Sequence, residues 1–246
     1  MHNFGEGKKL SKLLLNEQSS DINAAILTFP VTDAAFAGNG NGLDLEAVLS
    51  LTAKRLMDIF VSLTMLIVLS PLLLAVALLI KITSKGPIIF RQERPGKDLQ
   101  PFTMLKFRTM MVNGDYEKEE ILRMKNGSFS KTAHDSRITP IGVFLRKCSL
   151  DELPQLINVL KGEMSLVGPR PILNCELGIF DLATQQRRFS MKPGLTCIWQ
   201  VSGRSNTSDK KRLEYDLEYI ENWSLLLDLK LLLKTIPAVI KCQGAM

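Results

Sequence analysis

The chain has 246 residues, enough to bury a core in one moderate domain with extensions. Hydrophobic residues make up 46% and the formal net charge is +6, which favours anionic partners: nucleic acid, anionic headgroups or phosphorylated molecules. The four cysteines form no C-x-x-C pair and only His2 and His134 accompany them, which excludes a zinc-ligand pattern and fits reduced thiols in a cytosolic compartment.

Residues 1–50 read as a flexible N-terminal tail. Gly38-Asn39-Gly40-Asn41-Gly42 within it is a linker; a dinucleotide loop would need a preceding strand and a different third glycine. The first long apolar block starts too late for a secretory signal. It is IFVSLTMLIVLSPLLLAVALLI, residues 59–80, 22 residues without a charge between Asp58 and Lys81. At about 1.5 Å per residue such a helix is ~33 Å long, enough to enter or cross a bilayer core. Ser70 and Pro71 sit in its middle. Proline has no N–H and crowds the preceding turn, so a kink is expected there. Lys54 and Arg55 precede the block, and Lys81 and Lys85 follow it. Basic flanks prefer the cytoplasm. A helix bent at Pro71 that enters and leaves on one face satisfies both flanks, and a straight span satisfies one. A membrane-embedded kinked helix over 51–86 is expected.

Beyond it the pattern is soluble α/β, mostly helical with a short β-hairpin, expected to form one compact cytoplasmic domain over 87–246. Residues 88–90 and 102–110 read as strands joined through Pro95-Gly96-Lys97-Asp98. Lys106 and Arg108 alternate with Leu105 and Phe107, so they are expected on one face as phosphate-binding groups. A solvated strand face fits the same alternation. Without an interleaved aromatic platform, nucleic acid is not the expected partner. Residues 115–125 read as a charged surface helix. Leu153, Leu156, Ile157 and Leu160 mark one face of a helix that Gly162 ends. Residues 210–221 and 225–241 read as two further helices, and no internal repeat is evident.

The chemistry concentrates in residues 146–171, RKCSLDELPQLINVLKGEMSLVGPRP. Asp151 and Glu152 admit two readings. Ser149 with Glu152 makes an S-x-x-E capping box, and acids suit a helix N-terminus. Asp151 is surplus to that box, Pro154 stiffens the turn, and Arg146, Lys147 and Arg170 lie nearby in sequence. Paired carboxylates suit Mg²⁺, and guanidinium groups suit phosphate oxygens. The segment therefore also holds the parts of a phosphoryl-transfer site.

Together, Lys54-Arg55-x-x-Asp58, the Ser70-Pro71 block, FRQERPGKD, FTMLKFRTM, the 146–171 segment, KPGLTCIWQVSGR and YIENWSLLLDLKLLLKT resemble the bacterial sugar transferase family, the monotopic polyprenyl-phosphate hexose-1-phosphate transferases. The likeness covers residues 52–241 and is strongest to members that start exopolysaccharide units. It implies a re-entrant helix in the cytoplasmic leaflet of the bacterial inner membrane. It implies Asp151 as the nucleophile on the sugar-bearing phosphorus of a UDP-hexose, release of UMP, a phosphosugar–aspartyl intermediate, and transfer to polyprenyl phosphate. Glu152 would bind Mg²⁺, and Arg146 and Arg170 would hold phosphates. Arg204 and Asp216 match positions near the nucleotide and metal. Membrane lipid is an implied partner, and a homo-oligomer is left open. One departure stands out: Cys197 occupies the usual glycine of P-G-L-T-G. The missing multi-span N-terminal region leads us to expect the short form. Two rivals remain from the sequence: a membrane-anchored binding protein with an inactive transferase fold, and a glycosyltransferase that moves only the sugar and releases UDP.

Overall fold

The computed structural model describes residues 45–111, 137–202 and 208–240. The chain divides into two compact units, 1–55 and 56–246. Of the first, residues 45–55 are described, and they open helix α1 (Leu45–Val68). The expected helix over 115–125 and Arg204 lie outside the described residues.

Helix α1 stops at Val68, and α2 (Ser70–Thr83) follows after Leu69, bent by 63°. The cause lies in two residues. Pro71 has no N–H to give the carbonyl four residues back, which is that of Ile67. The Ser70 hydroxyl donates to that carbonyl instead, at 2.8 Å. Leu69 N–H still reaches Met65 O at 2.9 Å, so the chain turns without abandoning its hydrogen bonds. Among the described residues no single helix is long and apolar enough to cross a membrane, and this bent pair passes that test only together. Its outer surface is apolar: Phe60, Ile67, Val68, Leu74, Leu78 and Ile82 are all exposed, Ile82 to 75%.

The expected hairpin forms. Strand β1 (Ile89–Pro95) pairs antiparallel with β2 (Pro101–Phe107), from Ile89 opposite Phe107 to Pro95 opposite Pro101. A 3₁₀ turn, Lys97–Leu99, joins them, and Asp98 N–H ties the tip to Phe189 O at 2.7 Å. Period-two alternation sends Phe102 and Met104 into the main core with Leu156, Val159, Met164, Leu166, Val167, Tyr219 and Leu231. Phe107, of the other parity, joins Val76, Ile80 and Leu145 in a second cluster. The strand ends at Phe107, not at residue 110, so the alternation stops before Arg108.

Helix α3 (Pro140–Lys147) is capped by Thr139, whose hydroxyl oxygen accepts from Gly142 N–H at 3.0 Å. A 3₁₀ turn, Leu150–Glu152, leads into α4 (Gln155–Lys161), which Gly162 ends at φ 83°, as its position in the sequence predicts. The buried face of α4 is rotated from the expected one. Gln155, Leu156, Asn158 and Val159 are buried, while Ile157 is exposed. Asn158 sets this rotation by gripping β2. Its Oδ1 accepts from Leu105 N–H at 3.0 Å, and its Nδ2 donates to Thr103 O at 2.7 Å.

Strand β3 (Ser165–Val167) lies parallel to β4 (Gly194–Thr196). Between them run a 3₁₀ segment, Asn174–Ile179, and α5 (Leu182–Arg188); α6 (Ile198–Ser202), α7 (Asp209–Glu221) and α8 (Leu225–Ile240) follow β4. The last two match the helices expected at 210–221 and 225–241. Beyond β3 and at β4 two backbones nearly touch: a Cβ on Gly194 would lie 2.1 Å from Gly168 N. Only glycine permits that approach. The result fixes the loop that carries Arg170.

Candidate active site

Asp151 is buried to 9% exposure in the 3₁₀ turn, beside Glu152. The capping box does not form. Ser149 adopts φ 57°, ψ 20°, a left-handed conformation, and its side chain makes no cap hydrogen bond. Glu152 turns to long-range partners instead. Lys106 Nζ donates to Glu152 Oε1 at 2.9 Å, and Arg170 Nη2 lies 3.6 Å from the same oxygen. Three residues from β2, the 3₁₀ turn and the loop after β3 thus meet around one carboxylate.

Burial alone would lower the Arg170 pKa. The surrounding negative charge, chiefly Glu152 and also Asp151 and Asp216, outweighs burial and holds it above its ordinary value. Its guanidinium stands 5.0 Å from the Trp199 ring centre, and Arg212 stands 4.9 Å from the same ring.

The backbone of Arg170 is held as firmly as its side chain. Asp216 Oδ1 accepts from Arg170 N–H at 3.3 Å. Arg188 donates to Asp216 Oδ2 from Nε at 3.1 Å and from Nη2 at 2.7 Å, and Nη2 also reaches Arg170 O at 2.6 Å. A buried ion pair therefore closes a ring on both polar groups of one peptide segment. Burial pushes the Asp216 pKa up, and Arg188 opposes that shift. Arg188 was not singled out in the sequence. It sits in a pair of arginines at a helix end, and nothing in its spacing points 28 residues ahead to Asp216.

The other expected site residues fall as follows. Arg146 Nε donates to Thr109 Oγ1 at 2.9 Å from the last turn of α3, which packs against the 3₁₀ turn that carries Asp151. Arg108 does not share the Lys106 face. It is buried and donates to Ser84 O at 3.0 Å and to Lys85 O, closing the C-terminal end of α2. Cys197 is buried at 1% exposure, and its thiol donates to Gln200 Oε1 at 3.3 Å. Burial pushes the thiol pKa up, so it stays protonated.

Mg²⁺ normally takes one or two carboxylates and fills its shell with substrate phosphate and water. Adjacent Asp151 and Glu152 offer that number of oxygen donors. Among the described residues no group of three or more His, Cys, Asp or Glu side chains is assembled as a cage.

Relatives share much of this chain. It is 44% identical over 199 residues to the exopolysaccharide production protein ExoY of Sinorhizobium fredii, covering 78% of this chain and 88% of that one. It is 39% identical over 230 residues to a UDP-glucose:undecaprenyl-phosphate glucose-1-phosphate transferase of Klebsiella pneumoniae, covering 91% of this chain and 45% of that one. It is 42% identical over 199 residues to an undecaprenyl-phosphate galactose phosphotransferase of Salmonella typhimurium, covering 78% and 41%. Residues 49–242 match the family described as bacterial sugar transferase, and with Asp151, Glu152, Lys106 and Arg170 gathered inside that span, the chain belongs to this family.

Proposed function

We propose that this protein transfers a hexose 1-phosphate from a UDP-sugar to polyprenyl phosphate, releases UMP, and so starts an exopolysaccharide or related glycan. The observation that carries this reading is buried Asp151 beside Glu152, with Glu152 set against Lys106 and Arg170. Phosphoryl transfer needs positioning and charge compensation more than covalent versatility. The two acids divide the work. Glu152 is engaged by two cations, which suits a group that organises phosphate and metal. Asp151, one residue earlier on a stiff turn, is the nucleophile.

In the first step an Asp151 carboxylate oxygen bonds to the sugar-bearing phosphorus, and the phosphorus–oxygen bond to UMP breaks, UMP leaving with the electron pair. In the second step an oxygen of polyprenyl phosphate bonds to the same phosphorus and the bond to Asp151 breaks, restoring the carboxylate. Mg²⁺, held by Glu152 with Asp151 nearby, would neutralise the diphosphate charge. Arg170 and Arg146 hold phosphate oxygens. Lys106 holds Glu152 in place through its 2.9 Å hydrogen bond to Oε1. The exposed apolar surface of α1 and α2 supports insertion of 51–86 into the cytoplasmic leaflet, with the catalytic domain on the cytoplasmic face. Glucose and galactose are both named among the relatives, at 39% and 42% identity, so either is a reasonable donor sugar.

The test is direct. Detergent-solubilised protein with Mg²⁺, undecaprenyl phosphate and a panel of UDP-sugars should release UMP, and Asp151→Asn should abolish release. UDP as product, or an active Asn variant, would overturn the mechanism.

A further inference from the structure

We infer that Gln155 is a catalytic residue: its side-chain amide donates a hydrogen bond to a non-bridging oxygen of the phosphoryl group as that group is transferred to and from Asp151. The inference rests on the phosphosugar–aspartyl reading above and assigns a residue beyond it.

Three observations carry it. The first is burial without satisfaction. Gln155 is 3% exposed, and its Nε2 has no hydrogen-bond partner among the described residues. Native proteins rarely leave a buried donor unmatched, because the folded state then bears the full desolvation cost. Such a group is explained if a ligand supplies the acceptor.

The second is position. Residues 150–161 form one right-handed run: the Leu150–Glu152 turn, then Leu153 at φ −57°, ψ −33° and Pro154 at φ −60°, ψ −18°, then α4. Leu153 N–H to Leu150 O, Leu156 N–H to Leu153 O and Ile157 N–H to Pro154 O give this run three residues per turn, so Gln155 stands over Glu152, the neighbour of Asp151.

The third is what brackets it. Glu152, three residues before Gln155, reaches Lys106 of β2. Asn158, three residues after, reaches Thr103 and Leu105 of the same strand. Gln155 therefore lies on the face turned to β2, between the carboxylate pair and the anchor of the helix. Both neighbours on that face are matched, and Gln155 Nε2 is the donor left over.

The chemistry fits a neutral amide. In phosphoryl transfer the charge spreads over the three equatorial oxygens while the attacking and leaving oxygens stay in line. A donor already fixed where that charge gathers stabilises the transition state without reorganising, and losing one such donor typically costs ~10²–10³ in kcat. The proton stays on nitrogen throughout. Glu152 already faces Lys106 and Arg170, so a neutral donor adds stabilisation without competing for that carboxylate.

Gln155→Met keeps length and approximate volume and removes the donor. The full chain should release UMP ~10²-fold more slowly from UDP-glucose or UDP-galactose, with KM for the nucleotide sugar changed less than about threefold. Its melting temperature should be equal to or above that of the wild type, because an unmatched amide has been replaced by an apolar group. Gln155→Glu, which keeps the shape and replaces the amide donor by a carboxylate, should lose kcat as well. A structural residue would show the reverse, a lowered melting temperature with kcat kept in the folded fraction. Full kcat in the Met variant, the result expected if an ordinary buried water satisfies the amide, overturns the inference while wild-type UMP release and its loss in Asp151→Asn leave the phosphoglycosyl reading standing. Absence of UMP release from the wild type overturns both.

Discussion

The bent pair α1–α2 and the Arg170 loop face the same problem, a polar group that cannot find its ordinary partner, and they solve it over different distances. At the bend, Pro71 deprives Ile67 of a donor, and Ser70, three residues from Ile67, replaces it. At the site, Glu152 is matched by Lys106, 46 residues away in sequence, and Asp216 by Arg188, 28 away. A local solution costs little chain entropy and survives changes elsewhere. A distant one exists only when the whole core is assembled, so it couples the site to global stability. The proposed site lies in the second kind of region, where charges far apart in sequence meet.

Breaking each region should expose that difference. The largest effect on stability is expected at the buried pair. Arg188→Met leaves buried Asp216 without its ion-pair partner, a loss of ~3–5 kcal/mol, read by denaturant unfolding in detergent. Adding Asp216→Leu should restore much of that stability. It should not restore UMP release, because both hydrogen bonds that orient the Arg170 peptide are gone. Restored activity in the double variant would show that the clamp serves packing alone.

At the bend the effect should be smaller in energy and visible in topology. Reporters at residues 2 and 246 should both be cytoplasmic in the wild type. Pro71→Ala returns a backbone donor to Ile67 O, so a fraction of molecules should straighten and carry residue 2 across the membrane. Ser70→Ala should cost about 1 kcal/mol, with topology kept. A periplasmic residue 2 in the wild type would refute the re-entrant reading.

The smallest effect is a helix cap on the surface. The Asp181 carboxylate accepts from Thr184 N–H at 2.7 Å, which holds its pKa below the ordinary 3.8. Its folded pKa is depressed, so its contribution to stability is present above that value and lost as pH falls through the folded pKa. Asp181→Ala should lower the melting temperature slightly at pH 7, and the difference from wild type should vanish in strong acid. A difference that persists there would have another cause.

Much of the fold was legible because its signals are local. The 22-residue apolar block, the Ser70-Pro71 kink, the hairpin turn, the stop at Gly162 and the last two helices each depend on residues a few positions apart. The errors are equally physical. Period-two alternation predicts a strand to residue 110 with Arg108 on the Lys106 face, but β2 ends at Phe107 and Arg108 closes the end of α2. The spacing of leucines and Ile157 predicts one face of α4, and the grip of Asn158 on β2 turns another inward. Charge identity is visible in a sequence, but the direction in which a long cation reaches is not.

By itself the sequence determined that the charge-free block 59–80 bends at Pro71 and that an α/β domain follows, because dihedral limits and periodicity act within a few residues; it left Asp151 and Glu152 between a helix cap and a stiff turn. Tertiary structure alone decided that Ser149 does not cap, that Glu152 answers to Lys106 and Arg170, that Arg188 and Asp216 lock the Arg170 peptide, and that Gln155 Nε2 is buried with no acceptor among the described residues. Those outcomes depend on which charges burial brings together. The energy of a buried charge depends on the nearest opposite charge in space, however far away in sequence it lies.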